Sequence, residues 1–470
     1  MTNLESSAEE RTCKNGSCRF CVAVATIDEE INHLIAKRND LRSEHNRAHD
    51  PIHRLPDELK NQIFEFLLPL HNEWGVISPL ERTVMPTYLA SICRGWRDIA
   101  WSNPFLWSTM HIGLGKSTSD QSKFVHDWII RSRTLPLTFH IQVLDRSNEG
   151  LERSRMVLPP VLDVMSHCSN ILQSLFLDMP FPVFGSLHCS NFQWHRLMRL
   201  RIFMFPADQI QPLPFLNPTA SPKKIVLRHV PFKSLQISWN HLSSATVSWW
   251  SLEDITQLFQ HASQLNDCHI ESLAPGPRGF SIPLIIHHRL KTLSFHYAQD
   301  NDATLGLLLS LTLPCLQEFH TNETLHLVSL PALVHRSSCP LRRLTLFQDF
   351  EDQITDIDGV QPLPGVTDLV VEGEEPATII LELLLKEYFP DLRHLTLRLE
   401  TFLVLWNTST FRLYLDRKRP RSDGPNEGRL HKFLVTDQDS SGFEDMWNSD
   451  VGEELNALGI SLTEDGFEFI

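Results

Sequence analysis

Three cysteines near the N-terminus, Cys13, Cys18 and Cys21, stand at spacings that thiolate ligation of a metal tolerates, and His33 offers a fourth ligand. Structural zinc sites usually present two close ligand pairs facing each other. Here the fourth ligand falls on a stretch with helical periodicity, so the expected state is thiols in a polar arm, with no metal assigned. A second motif, "HIGLGKST" (His111–Thr118), carries the Gly-Lys-Ser of a phosphate loop. That loop also needs an earlier glycine, four residues removed, so that its backbone can bend around phosphates. The position is held by Met110, which makes this a loop after a strand. The histidines, including the pair His287-His288, form no His-Glu-x-x-His, and no Gly-x-Ser-x-Gly elbow occurs. The expectation is a chain without enzymatic activity, catalytic residue or cofactor.

The elements that carry the remaining residues say more. With 42% hydrophobic and 21% charged residues, the 470-residue chain reads as globular and long enough for several domains. Its apolar run "LGLLLSLTL" (Leu305–Leu313) is far short of a membrane span. The opening "MTNLESSAEER" is acidic and polar, unlike a secretory signal. Nine scattered cysteines favour a reducing compartment, so a cytoplasmic and/or nuclear location is expected. A formal net charge of −15 argues against nonspecific binding to nucleic acid. "RKRPR" (Arg417–Arg421) is a candidate nuclear import signal of a kind that also recurs by chance.

A polar, cysteine-containing arm (1–25) precedes an amphipathic segment (26–50), where Ile27, Ile31, Leu34 and Leu41 recur at heptad-like spacing behind a Thr26/Glu29 capping box. Arg38 and His45 interrupt that stripe. The expected state is a lone helix packed on its own chain, with a dimer helix as the alternative. In "PIHRLPDELKNQIFEFLLP", Pro56 suits a first helical turn and Asp57 and Glu58 complement the positive helix end. Leu59, Ile63, Phe66 and Leu67 then share one face. A second helix is expected from Pro86, "PTYLASICRGWRDIAWSNP", with Leu89, Ile92, Cys93, Trp96 and Ile99 or Ala100 as its apolar stripe.

Beyond residue 112 a pattern apolar-x-x-apolar-x-apolar recurs at steps of about 25 residues. It runs "LQSLFL" (172), "LMRLRI" (197), "PKKIVL" (222), "LSSATV" (242), "LNDCHI" (265), "LKTLSF" (290), "LQEFHT" (316), "LRRLTL" (341), "VTDLVV" (366) and "LRHLTL" (392), with "WSTMHI" (107) as an outlying strand. Helix-like stretches lie between, such as "SLEDITQLFQHASQ" with Ser251 as N-cap and "EPATIILELLLKEYFP" closed by Pro390. Strand, helix, strand at this period is the leucine-rich-repeat unit, joined by right-handed crossovers. The turn position that usually holds Asn or Cys has Ala298, Asp349, Glu374 or Glu400, which is closer to irregular intracellular repeats. From 411 to 470 the chain reads as a charged linker, a strand at "HKFLV" and a solvated acidic tail.

Together, Leu55-Pro56, Glu58-Leu59, Ile63-Phe64 and Cys93-Arg94-Gly95-Trp96-Arg97, followed by Trp107, resemble the F-box. The likeness covers about residues 51–107, with a long linker between the helices as its main departure, and the repeats behind it match a common F-box layout. The expected architecture is multidomain: an α-helical F-box (51–112), then an α/β leucine-rich-repeat solenoid (113–410), a horseshoe with parallel strands. The resemblance implies docking to a Skp-type adaptor and so to a cullin–RING ubiquitin ligase of the SCF type. It assigns adaptor contacts to Leu55, Pro56, Leu59, Ile63 and Leu67, with Trp96 either a contact or the core of the box. Strand alternation places Arg199, Arg201, Lys224 and Arg228, then His269, His296, His320, Arg343, Glu372, His394 and Arg398, on the face opposite the inward leucines. That face is the expected site for an unknown protein substrate, and its basic first half points to an acidic or phosphorylated one. No nucleic acid or membrane is expected as a partner. The alternative is a leucine-rich-repeat scaffold without a ligase role.

Overall fold

The computed structural model describes residues 19–49, 54–68, 71–72, 75–76, 79–115, 121–184, 192–204, 219–274, 282–297, 301–322, 324–347, 361–373, 383–384, 386–399, 432–437, 460–463 and 466–469. Cys13, Cys18, the turn positions Ala298, Asp349, Glu374 and Glu400, the basic run at 417–421 and most of the stretch 374–390 lie outside them. The chain divides into two compact units, Met1–Leu106 and Trp107–Ile470. Residues 107–112, grouped above with the F-box segment, belong to the second.

In the first unit α1 spans Arg19–His49. Thr26 therefore lies inside the helix, where its hydroxyl donates to the Val22 carbonyl at 3.0 Å instead of capping a terminus. Every α1 side chain with a described environment is exposed except half-buried Cys21. The expectation that this helix packs on its own chain is thus corrected: Ile27, Ile31, Leu34 and Leu41 all face solvent.

Helix α2 (Asp57–Phe66) starts after Pro56, with Asp57 and Glu58 in its first turn. It buries Lys60 and Phe64, and Leu68 one turn on, a spacing of four that defines one face. The stripe read from the sequence, Leu59, Ile63, Phe66 and Leu67, is the exposed face. The single helix expected from Pro86 is two helices, α3 (Pro79–Ile92) and α4 (Arg94–Ser102). Cys93 breaks them apart by adopting an extended backbone (φ −156°, ψ 173°), and its Sγ accepts the Trp96 N–H at 3.4 Å. Arg97 Nε donates across the break to the Ala90 carbonyl at 2.9 Å. Leu89, Ala90 and Ala100 are buried, whereas Ile92 points to solvent.

The second unit is built on a sheet with fifteen strands among the described residues. In chain order these are β1 (Thr109–Leu114), β2 (Leu137–Val143), β3 (Leu172–Asp178), β4 (Arg199–Phe203), β5 (Lys224–Arg228), β6 (Ser244–Trp250), β7 (Asp267–Leu273) and β8 (Thr292–Tyr297). They continue as β9 (Glu318–Thr321), β10 (Arg343–Leu346), β11 (Asp368–Glu372), β12 (His394–Leu399), β13 (Lys432–Asp437), β14 (Ile460–Thr463) and β15 (Gly466–Phe469). From β1 to β13 each strand pairs in parallel with the next in sequence. Each of the ten motifs overlaps one strand from β3 to β12. Strand β2 was not among them, and β13 is the strand anticipated at "HKFLV". The acidic tail is corrected in part: β14 and β15 form an antiparallel hairpin that adds to β13, as the period-two alternation of Ile460 and Leu462 permits.

Between strands lie α5 (Gln121–Ser132), α6 (Asn148–Ser166), α7 (Leu252–His261), α8 (Asn301–Ser310) and α9 (Thr324–Ser337). Ser251 caps α7 in a full capping box with Asp254, as its sequence signals. At "HIGLGKST", β1 ends at Leu114 and Gly115 turns the chain at φ +93°, a conformation that favours glycine. The register stacks the core in two rows. One runs Phe139, Leu175, Leu200, Ile225, Ala245, Cys268 and the other Ile141, Leu177, Ile202, Leu227, Val247, Ile270. All are nearly inaccessible to solvent, so the alternate positions form the opposite face.

Candidate functional site

Two surfaces hold the residues nominated by the sequence, one in each unit. Along α2 and its C-cap, Leu59 (45% exposed), Ile63 (37%) and Leu67 (46%) form a row beside the side that buries Phe64, with Phe66 next to them at 91%. Pro56 is exposed and Leu55 half-buried. Trp96 is not part of this face. Its ring centroid lies 5.0 Å from that of Phe64 and the residue is half-buried, so it holds α2 against α4. Asn103 Nδ2 reinforces that packing by donating to Glu65 Oε1 at 3.2 Å. A second apolar row escaped the sequence reading. Leu80, Val84, Tyr88 and Ile92 recur every fourth residue along α3, and all are exposed. Its signal is the i, i+4 spacing, which a helix starting at Pro86 would cut short because α3 begins at Pro79.

In the second unit the alternation that buries Leu200 and Ile202 turns Arg199 and Arg201 to the open face. Strand pairing sets Arg199 beside Lys224 and Phe203 beside Arg228. Phe203, missed in the sequence, organises this cluster. The Arg201 guanidinium carbon lies 4.0 Å from its ring centroid and that of Arg228 lies 5.2 Å away. Arg199 Nε donates to Ser174 Oγ at 2.9 Å, and Arg228 pairs with Glu271 at 3.1 Å. Burial pulls the pKa of the Arg201 guanidinium down against the opposing pull of Asp178 and Glu271, and burial alone pulls that of Arg199 down. Stacking on an aromatic face offsets part of the cost of half-burying such a charge.

Further along, His320, Arg343, Phe347, Asp368, Glu372, His394 and Arg398 line a hollow of about 490 Å³ across β9–β12. Most of its charges are already paired: Arg343 with Glu318 at 3.6 Å, His394 with Asp368 at 2.9 Å, and Arg398 with Glu372 at 2.5 Å. Burial would raise the Asp368 pKa, but hydrogen bonds from Thr367 and His394 outweigh it and the net direction is down. Phe347, a second aromatic overlooked in the sequence, stacks on His296 at 4.7 Å between ring centroids. Burial, with the positive field of His269, His296 and Arg343, pushes His320 down to about 4, although Glu318 lies 3.6 Å away.

The eight nominated positions Arg199, Arg201, Lys224, Arg228, His296, His320, Arg343 and Arg398 thus share one face, but in two groups. The first is a cationic cluster on β4 and β5. The second is a mixed-charge hollow further along the sheet, with His296 at its edge. His287, singled out by the pair His287-His288, is instead a core residue. Its Nε2 hydrogen-bonds to the Ala262 carbonyl at 3.0 Å, and its Nδ1 accepts the Leu290 N–H at 3.1 Å. Cys21 and His33 both lie on α1, and no group of three metal-ligating side chains occurs among the described residues. No family model matches the chain, and it has no match among curated proteins.

Proposed function

We propose that this chain is a substrate-recruiting subunit of an SCF-type ubiquitin ligase, with an F-box in its first unit and a leucine-rich-repeat solenoid in its second. The observation that carries the reading is the apolar face of α2, where Leu59, Ile63 and Leu67 stand exposed while Phe64 and Trp96 make the internal packing. Covering such residues stabilises a complex by roughly 1.5–3 kcal/mol for each side chain fully buried. Three such contacts supply at most roughly 4.5–9 kcal/mol, comparable with the cost of lost free motion, so Leu55 and Pro56 at the helix start are needed as further contacts. In this role the face docks to a Skp-type adaptor, and Trp96 positions α2 without touching the partner.

The sheet supplies the other half of the role. Its successive parallel strands at a step near 25 residues fit a repeat solenoid, and its open face carries the side chains that would hold a protein substrate. The cationic cluster around Phe203 suits an acidic or phosphorylated segment. The chain itself would carry no catalytic group, the transfer being done by the cullin–RING partner. Cytoplasm and/or nucleus is the proposed location; no helix among the described residues is long and apolar enough to cross a membrane.

The test is capture of the full chain and of the double variant Leu59→Asp/Ile63→Asp from cells, followed by measurement of which captured proteins change abundance. Loss of the adaptor with retention of the other partners, some of which accumulate when the box is disabled, supports the role. Partners whose abundance ignores the box would instead favour a scaffold without a ligase role.

A further inference from the structure

Helix α1 is 31 residues long, and among its described side chains none is buried. Isolated helices in water gain little from propensity alone and depend on packing of an apolar face. Val24, Ile27, Ile31, Leu34 and Leu41 all stand exposed along one line. Their spacing of three, four, three and seven places Val24 and Ile31 at the a positions of a heptad and Ile27, Leu34 and Leu41 at d. Arg38 and His45 then occupy a positions, and Glu30 and Lys37 occupy g.

We propose that α1 binds α1 of a second copy of this chain, as an antiparallel two-stranded coiled coil. Charge selects both the occupant and the direction. In a parallel pair the two Arg38 side chains would meet in the core and Lys37 would face Arg42 of the second copy, both repulsive. In the antiparallel pair with Ile31 against Leu34, Val24 packs on Leu41 and each Arg38 sits against Ile27 instead of its own counterpart. The same register brings Glu30 of each copy beside Lys37 of the other, giving two attractive pairs and no like-charge pair at g. A charged residue at one a position, here Arg38, fixes register at some cost in stability. The helix offers its own complement.

Sedimentation of the full chain at micromolar concentration tests this. The account requires a species of twice the 54.1 kDa chain mass. Ile31→Asp/Leu34→Asp should give a monomer with its remaining structure intact, since both residues are exposed. Lys37→Glu separates the two directions. It turns both Glu30 pairs repulsive in the antiparallel coil and should raise the dissociation constant roughly tenfold, with recovery in Glu30→Lys/Lys37→Glu. In a parallel coil the same change would set the new carboxylate against Arg42 and tighten the dimer. Tightening by Lys37→Glu, a dimer that survives the double aspartate change, or a wild-type chain that is monomeric throughout would each overturn the proposal.

Discussion

The rings of Phe64 and Trp96 meet with centroids 5.0 Å apart, and this contact fixes which side of α2 is turned away from the rest of its unit. Phe64 is wholly buried, whereas its neighbours Ile63 and Glu65 are not. The packing side of the helix is therefore anchored by this aromatic pair, with Lys60 and Leu68 in line with it, and the leucines and isoleucine are left exposed.

That division predicts opposite results for substitutions one residue apart. Phe64→Ala removes a buried aromatic and should destabilise the first unit by about 3–5 kcal/mol. Leu59→Asp/Ile63→Asp should change stability by no more than about 1 kcal/mol, because both side chains already face water. Hydrogen exchange of the α2 and α4 amides distinguishes the two. Comparable deprotection in both variants would contradict the assignment of faces.

The same contrast holds within the sheet. Phe319 is fully buried in the core row of β9, and Phe319→Ala should cost about 3–5 kcal/mol in denaturant unfolding of the second unit. Arg343, on the adjacent strand but on the open face, pairs with Glu318 at 3.6 Å with its side chain about half exposed. Arg343→Ala should leave stability within roughly 1 kcal/mol of the parent.

His320 gives the second unit a pH dependence with a definite sign. Its value in the folded chain, about 4, lies below the ordinary 6.5, so between these values the unfolded chain binds the extra proton. Stability contributed by keeping this ring neutral is complete above pH 6.5 and lost progressively as the pH falls toward 4. His296, His287 and His111 are lowered too and act in the same direction. Unfolding free energy measured across this window should flatten in His320→Gln by up to about 1.4 kcal/mol per pH unit. An unchanged slope would show that the ring is not held neutral.

Thiol chemistry reports on burial independently. Burial raises Cys168 and Cys268 to about 12, with the Asp267 charge adding to the effect at Cys268. In the native chain at pH 8 both should resist alkylation far longer than half-buried Cys93 and Cys21, because the thiolate is the nucleophile. Peptide mapping after timed labelling reads this directly. Equal rates at all four positions would contradict the packing of β7 and of the turn after α6.

The sheet was legible from the chain because the strand signal is local. A leucine three residues before an apolar-x-apolar pair marked most of the strands from β3 to β12. Strand β2 has the same alternation at Leu137, Phe139 and Ile141, but the long helix α6, with Pro159 and Pro160 inside it, spreads β2 and β3 beyond the common step. The open face followed from period-two alternation alone, which is why the nominated cations lie on it. Phe203 and Phe347 were missed because an aromatic out of phase with the core looks like noise until its neighbours are known to be arginine and histidine.

The helical unit was less legible. Apolar periodicity on α2 gave a face but not its direction, since a stripe that packs internally and one that meets a partner look the same. Lys60 occupies the buried side with Phe64, its ammonium 2.9 Å from Asp57, and no periodicity rule anticipates a lysine there. The break at Cys93 was equally hidden, because it rests on one extended residue within an otherwise helical pattern.

The central claim is that the exposed face of α2 is an adaptor-docking surface, and a calorimetric titration of purified Skp-type adaptor into the full chain tests it most directly. The account predicts saturable one-to-one binding per chain that is lost in Leu59→Asp/Ile63→Asp and retained when Arg201 or Arg343 is changed to alanine. No heat with the parent chain, or equal affinity in the double aspartate variant, would contradict it.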